Sequence, residues 1–421
     1  MSSADLSLQR YLRTRAASGP WAIEGTGRCD FTGTVVIPAL AECSHLFATL
    51  ASLAANPPEL LDRFLVLVVV NHRADAAAAD KSDNFSLLRR LATGDGVPPT
   101  LNLAWVDAAS PGRELPVKGG GVGLARKIGC DLALSRLAFS GPPPVLVSLD
   151  ADTLVEPTYL DAILNHFRTA RDGGAVIPFH HQPGRTPAEE AAIRHYELFL
   201  RHYVHGLWLA GSPYAYHSIG SALACRADAY VKAGGMNRRP AGEDFYFLQQ
   251  LVKTSGVALL TGTTVHPSAR RSERTPYGTG RSVARLSAGD WQAVRFYPEP
   301  VFGILGGWLQ LAQQSWNAPA ETLLDRARAL SPELAAYLSE QSISAIWTCL
   351  QRQHRNETAF RNAFHSWFDA LRTLRLIHHL CRGTYPPFAA GPQLPPLLTP
   401  DCQDSSSTCD TQHRLRGEIP G

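Results

Sequence analysis

Two carboxylates stand two residues apart at the end of an apolar run, Val145-Leu146-Val147-Ser148-Leu149-Asp150-Ala151-Asp152-Thr153. Positions two apart on a strand share a face, and two carboxylates on one face repel unless positive charge lies between them. A divalent metal carrying phosphate oxygens is one such charge, since Mg2+ takes one or two carboxylates together with substrate phosphates. The structural alternative is that Asp150 ends a strand and Asp152 caps the helix near Pro157; on this stretch alone the two readings stand level. A second acidic pair, Glu243-Asp244, follows Gly242 at a helix start. Acids are favoured in a first turn, and a carboxylate there can also act as a general base. His266 closes a strand just before Pro267, and residues 268–281 set four arginines, Arg270, Arg271, Arg274 and Arg281, among glycines and hydroxyls.

The elements that position these groups alternate. Residues 34–37 read as a first strand stopped by Pro38. Residues 42–55 have helical spacing through Leu46, Leu50 and Leu53. Residues 64–70 form a continuous apolar run, the mark of a strand covered on both faces, and residues 81–92 a helix. A weaker strand spans 101–106. A glycine run after Lys118 leads into a helix to about residue 137, and the strand ending in Asp150 follows. Pro142 to Pro144 cannot continue a helix and deliver the chain into that strand. Beyond it come a helix at 157–171, a short strand at 175–178, a long helix at 186–209 and a small-residue stretch at 220–224. A helix at 227–232 ending in Gly234-Gly235, another from Glu243 to Thr254, and strands at 257–260 and 263–265 complete the series. Strands alternating with helices imply right-handed crossovers and a mostly parallel sheet, whose ligands bind outside the carboxyl ends of the strands. That rule puts Asp150 and Asp152 at the mouth of a site.

The chain of 421 residues is 45% hydrophobic and 18% charged, which fits a globular protein of about two domains. Its net charge of +3 argues against a dedicated nucleic-acid surface. No CxxC pair occurs among the eight cysteines, so neither a zinc ribbon nor a thioredoxin-type motif is indicated, and so large a core needs no disulfide framework. Residues 1–18 lack an apolar signal core, and the apolar run at 64–70 is too short to span a bilayer. A soluble cytoplasmic protein is expected. The proline-rich and then small, polar composition from residue 391 reads as disorder.

Taken in order, Thr34-Val35-Val36-Ile37-Pro38-Ala39, Glu42, Val68-Val69-Val70-Asn71, Gly123-Leu124-Ala125-Arg126, Leu149-Asp150-Ala151-Asp152, Gly234-Gly235 and Gly242-Glu243-Asp244 resemble the family 2 nucleotide-sugar glycosyltransferases of the GT-A fold, over about residues 33–281. The resemblance implies an α/β fold, Rossmann-like, with a mostly parallel sheet flanked by helices and followed by a helical C-terminal extension. With several helices read between residues 300 and 380 and the composition of the tail, the chain divides into a lead-in at 1–31, the transferase domain at 32–290, a helical region at 291–390 and the tail at 391–421. The resemblance implies a UDP- or GDP-linked nucleotide-diphospho-sugar donor, an acceptor hydroxyl of unstated identity, and Mn2+ or Mg2+ as cofactor. The C-terminal helices would shape the acceptor site or a homo-oligomer interface.

The resemblance also implies residue roles. Pro38, Ala39 and Glu42 hold positions that line the nucleotide pocket. Asn71 stands where the family usually has an aspartate reading the base; an amide both donates and accepts, so the choice of nucleotide stays open. Lys118 and Arg126 match basic positions near the base and diphosphate, with Arg126 suited to a bidentate phosphate contact; the alternative for Arg126 is a solvated helical arginine. Asp150, Ala151 and Asp152 match the DxD motif, the first aspartate approaching the ribose or a metal-bound water and the second ligating the metal that neutralises the diphosphate. His266 stands where some members place a further metal ligand, and an imidazole beside carboxylates suits Mn2+ better than Mg2+. Glu243-Asp244 matches the ED motif. Asp244 is the expected general base toward the acceptor hydroxyl, worth roughly 10²–10⁴-fold, with Glu243 supporting it and inversion at the anomeric carbon as the outcome. Residues 268–281 read as a lid closing on the diphosphate, with Arg274 and Arg281 as its contacts.

Three rival functions share parts of this pattern. A retaining transferase of similar fold would use the ED acids only to position the acceptor. A sugar nucleotidyltransferase would carry a glycine-rich, lysine-bearing loop after the first strand, where Pro38-Ala39-Leu40 stands instead. A non-catalytic sugar-nucleotide-binding protein would tolerate loss of Asp152 or Asp244. Gly121-Val122-Gly123 lacks the third glycine of a dinucleotide-binding turn, since Arg126 occupies its place, and no GxxxxGK[ST] pattern is present.

Overall fold

In a computed structural model, the structure describes residues 3–272, 274–275 and 278–389. The chain forms two compact units, Met1–Glu190 with Ser218–Arg281, and Ala191–His217 with the described part of Ser282–Gly421. The first unit runs α1 (Ser3–Thr14), β1 (Ile23–Glu24), β2 (Gly33–Ala39), α2 (Leu46–Ala54), α3 (Pro58–Leu61), β3 (Phe64–Asn71), α4 (Ala78–Thr93), β4 (Asn102–Ala108), α5 (Val122–Ala133), β5 (Val145–Ser148), β6 (Leu154–Val155), α6 (Tyr159–Thr169) and β7 (Gly174–Val176). After α7 (Pro187–Leu209), which starts here and continues into the second unit, it resumes with β8 (Leu223–Arg226), α8 (Ala227–Lys232), α9 (Glu243–Thr254), β9 (Val257–Leu259) and β10 (Val265–His266).

Eight strands form one sheet in the order β1-β4-β3-β2-β5-β8-β7-β9. The pairs β3–β4, β2–β3, β2–β5 and β7–β9 are parallel, and β1, β8 and the β7–β8 pair run antiparallel. Every residue of β2 and β3 is buried, because α5 packs against both strands and α3 and α4 pack against β3. The expected α/β architecture, a mostly parallel sheet flanked by helices with a helical C-terminal region, is therefore what the chain adopts.

Three local expectations need correction. The first strand does not stop at Pro38 but runs through it to Ala39, paired with β3 throughout. Val36 accepts a bond from the Leu149 N–H of the neighbouring chain segment, so Pro38, two residues on, faces the same side. There β5 has already ended at Ser148, and the proline's missing N–H costs no ladder bond. Residues 220–224 hide a strand: β8 begins at Leu223 and lies antiparallel between β5 and β7. Finally, β6 and β10 leave the main sheet and pair with each other, Leu154 opposite His266.

The lead-in is docked. Tyr11 of α1 is buried, donates to Asp131 Oδ1 at 2.6 Å and receives Lys127 Nζ at 2.9 Å, while Tyr230 of α8 donates to the same oxygen at 2.7 Å. Asp131 Oδ2 accepts the Ala17 N–H and pairs with Lys127. Each buried polar group in the cluster thus finds a partner, as burial demands.

The second unit takes α7 from residue 191 and adds α10 (Thr279–Ser287) from residue 282, then α11 (Glu299–Gln314), α12 (Ala320–Leu330), α13 (Pro332–Glu340), α14 (Ile343–Gln353), α15 (Glu357–Trp367) and α16 (Ala370–Arg382). Its core centres on Trp308 and Trp347, edge-on to Phe364 at 5.6 Å and Phe360 at 4.8 Å, a favoured aromatic geometry. Among the described residues no helix is long and apolar enough to cross a membrane. The six described cysteines are free; Cys402, Cys409 and the tail at 391–421 lie outside the described residues.

Candidate active site

Arg126 is the hub of the carboxyl edge of the sheet. It sits in the first turns of α5 with its side chain only 4% exposed. Its guanidinium bonds Asp150, just past β5, with one amino group and pairs with Glu243, the first residue of α9, through the other. Two glycines allow this. A Cβ on Gly123 would stand 2.3 Å from the Arg239 carbonyl and 2.9 Å from the Glu243 Cβ, so α5 comes this close to the start of α9 only because residue 123 has no side chain. A Cβ on Gly220 would stand 2.3 Å from Arg126 Nη2. Arg126 is therefore not a solvated helical arginine; it clamps one acid from each predicted motif. Asp150 keeps 37% of its side chain exposed, whereas Glu243 keeps 3%.

Asp244 adjoins this clamp. It accepts its neighbour's N–H, from Phe245, at 2.8 Å. Burial holds its carboxyl above the usual range, opposed chiefly by the nearby Arg126 and reinforced by the negative charge of Asp150. A carboxylate with raised proton affinity is what a base needs.

The other aspartate has a different cation. Asp152 Oδ2 receives Arg270 Nε at 2.7 Å, and Arg270 also bonds Glu42. Arg274 reaches the same Glu42 oxygen at 2.5 Å, and His45 Nδ1 lies 3.1 Å from the second oxygen. Burial pushes Asp152 up to about 6, with Arg270 opposing and Asp150 and Glu42 adding to the rise. The turn that presents both aspartates is fixed from below by Thr49 Oγ1, which donates to the Ala151 carbonyl at 2.9 Å, and by Gln182 Nε2, which donates to that of Asp152 at 2.8 Å.

The remaining predicted positions are placed less uniformly. Pro38 and Ala39 end β2, and the Ala39 carbonyl accepts Asn71 Nδ2 at 3.1 Å. Asn71 gives its amide donors to Ala39 and Val69, so its donor half locks two strand ends together and only its carbonyl is left for a base. Lys118 is exposed in the turn before α5, and Arg281 is exposed in the first turn of α10. His266 is not gathered with the aspartates. Its Nδ1 donates to the His180 carbonyl at 3.0 Å and its Nε2 lies 3.5 Å from Glu156.

Sequence reasoning did not single out Arg270, His45 or Gly220. All four arginines of 268–281 look alike in sequence; the pairing of β10 with β6 is what brings the one nearest His266 onto Asp152.

Asp150 and Asp152 fit a hard divalent cation. Each commits one carboxylate oxygen to an arginine and has no partner on the other among the described residues, and the raised proton affinity of Asp152 marks a buried carboxyl short of positive charge. Two carboxylates, with phosphate and water supplying the rest, are a Mg2+-type donor set. No group of three or more His, Cys, Asp or Glu side chains suited to a metal occurs among the described residues, so the protein alone would not complete a coordination shell.

No family model matches the chain, and no curated protein does. Among solved structures it is similar to S. aureus TarS 1-349, with 13% identity over 78% of this chain and 89% of that one, at a TM-score of 0.38, and 0.40 for the complex with UDP-GlcNAc. It is also similar to the mannosyltransferase PcManGT from Pyrobaculum calidifontis in complex with GDP-Man and Mn2+, with 16% identity over 87% and 94% of the two chains, at a TM-score of 0.37. At scores this low neither likeness bears on the chemistry of the site.

Proposed function

We propose that the first unit is a metal-dependent glycosyltransferase that moves a sugar from a UDP- or GDP-linked diphospho-sugar to an acceptor hydroxyl with inversion. The observation that supports it most is the clamp: Arg126 holds Asp150, from the DxD turn, against Glu243, whose neighbour Asp244 is a carboxyl of raised basicity at a helix start. Two motifs far apart in sequence thus share one site at the carboxyl edge of the sheet, where ligands of open α/β sheets bind.

Asp150 and Asp152 would hold the Mn2+ or Mg2+, whose contribution is to neutralise charge developing on the departing diphosphate. Pro38, Ala39, Glu42 and the Asn71 carbonyl form the nucleotide side, with Lys118 within the turn that leads to it. Asp244 takes the proton of the acceptor hydroxyl as its oxygen attacks the anomeric carbon, and the bond to the diphosphate breaks on the opposite face. Glu243, neutralised by Arg126, keeps the helix start fixed. Arg274 and Arg281 belong to the segment that closes over the donor. His266, turned to Glu156, orders the β6–β10 ribbon and stays outside the ligand set.

Calorimetric titration of UDP and GDP, with and without Mn2+, into wild type and Asp152→Ala tests this reading. Tight, metal-dependent binding of one nucleotide that the variant loses is expected; no binding of either nucleotide with any metal would refute it. In Asp244→Asn, transfer should fall by roughly 10²–10⁴-fold with donor binding unchanged.

A further inference from the structure

Asp244 folds back on its own helix. Its carboxylate accepts the Phe245 N–H, so its direction follows the backbone that carries it. That backbone starts without a side-chain cap. The residue before α9 is Gly242, held in the left-handed region at φ 68°, and it has no side chain to offer the first N–H groups of the helix.

Asn237 supplies a different support. Its Nδ2 donates to the Glu243 carbonyl at 2.7 Å, and its Oδ1 accepts the Arg239 N–H at 3.2 Å. The first bond reaches across the loop at 238–242 and holds the peptide that joins Glu243 to Asp244. The second is an Asx-type turn that fixes the asparagine itself. The loop is seated as well. A Cβ on Gly123 would stand 3.0 Å from the Asn237 carbonyl, and one on Gly121 would stand 2.8 Å from the Pro240 Cα, so this segment lies directly on the start of α5, the helix that carries Arg126.

Arg126 holds Glu243 by its side chain, and Asn237 holds the same residue by its main chain. A tether on the side chain alone leaves the peptide plane free to turn. A second tether on the carbonyl stops that rotation, and Asp244 projects from the far side of the same plane.

We infer that Asn237 is a positioning residue for Asp244, acting through the peptide between Glu243 and Asp244 rather than on the substrate. The role rests on the transferase reading, in which Asp244 is the base.

The test is a double-mutant cycle on the full chain: wild type, Asn237→Ala, Asp244→Asn and the two substitutions together. Turnover is read as release of UDP or GDP from UDP- and GDP-hexoses with Mn2+, and affinity as titration of the free nucleotide. Asn237→Ser runs alongside, since its hydroxyl can still accept the Arg239 N–H but falls short of the Glu243 carbonyl; it carries the cycle if Asn237→Ala fails to fold by circular dichroism. Both Asn237 variants should lose about 10- to 100-fold in kcat, as a small misplacement of a reacting group costs, with nucleotide affinity unchanged. In the Asp244→Asn background the same substitution should cost less than about twofold, because the group that it aims is gone. Hydrogen exchange with no donor present should quicken at residues 243–247 in both variants and stay unchanged in β8. Equal losses from Asn237→Ala in the two backgrounds would make the asparagine a purely structural residue and overturn the role. An unchanged kcat, or unchanged protection at the start of α9, would overturn it too. An Asp244→Asn protein at full rate, or a wild type that neither binds nor releases either nucleotide, would instead overturn the transferase reading on which the role rests.

Discussion

Removing the guanidinium that joins Asp150 to Glu243 is the sharpest perturbation this structure offers. In Arg126→Met the aliphatic bulk stays and the charge goes. Glu243, 3% exposed, then lies buried without a counter-ion, and breaking such a pair costs about 3–5 kcal/mol. Asp150, 37% exposed, adds little, since an exposed carboxylate recovers its hydration. At about 2–4 °C per kcal/mol for a unit of this size, the midpoint of thermal unfolding should fall by roughly 6–20 °C. The double variant Arg126→Met/Glu243→Gln should recover most of that loss, because the stranded charge has been removed as well. Differential scanning calorimetry at pH 7 reads both. The same substitution removes the strongest influence holding down the proton affinity of Asp244. The acid limb of the rate profile should therefore move to higher pH, where the base is again ionised. An Arg126→Met protein within about 1 kcal/mol of wild type, or a double variant no better than the single, would refute the clamp.

Gly220→Ala pushes a methyl group to 2.3 Å from Arg126 Nη2; because two carboxylates pin that side chain, the cost should be about 1–3 kcal/mol, with a matching loss of transfer, measured by urea unfolding and donor turnover. Tyr11→Phe deletes the hydroxyl that donates to Asp131 at 2.6 Å and should cost about 1.5–3 kcal/mol, seen as faster tryptic cleavage at Arg13 and Arg15. In the helical unit, burial holds the partly exposed His365 neutral, its pKa lowered from 6.5 to about 4. The unfolded chain takes up a proton near 6.5 and the folded chain only near 4, so stability present at neutral pH is lost as pH falls across that window. His365→Phe should remove up to about 3 kcal/mol of this acid sensitivity, measured as urea midpoints at pH 7 and pH 4.5.

What could be read from sequence was what short-range chemistry fixes. The abrupt end of an apolar run placed Asp150 and Asp152 at a strand end, and acids after Gly242 placed Glu243 and Asp244 in the first turn of α9, because each signal is complete within a few residues. Less was legible where partners come from far away. Arg126 looked like a free cation because neither of its carboxylates is near it in the chain. The strand at Leu223 was invisible because Leu-Ala-Cys-Arg has no alternation to read and is made a strand by its neighbours on both sides. Pro38 looked like a stop because the sequence does not reveal that the adjacent strand has already ended. In the arginine-rich loop, Arg274 was singled out and does reach Glu42, whereas Arg270 was passed over and Arg281 lies exposed.

Arg270 and Arg274 bond the same oxygen of Glu42. One acceptor with two donors is redundant: deleting either arginine lets the survivor take the oxygen undivided, so the penalty of one deletion understates what the pair does. Residues that share a partner are the ones whose effects fail to add. A residue-by-residue alanine scan would therefore understate what each arginine does at Glu42, with Arg270 registering chiefly through its separate bond to Asp152, and only their joint removal, or the loss of Glu42 itself, would show how firmly this loop is fastened to the first strand's end.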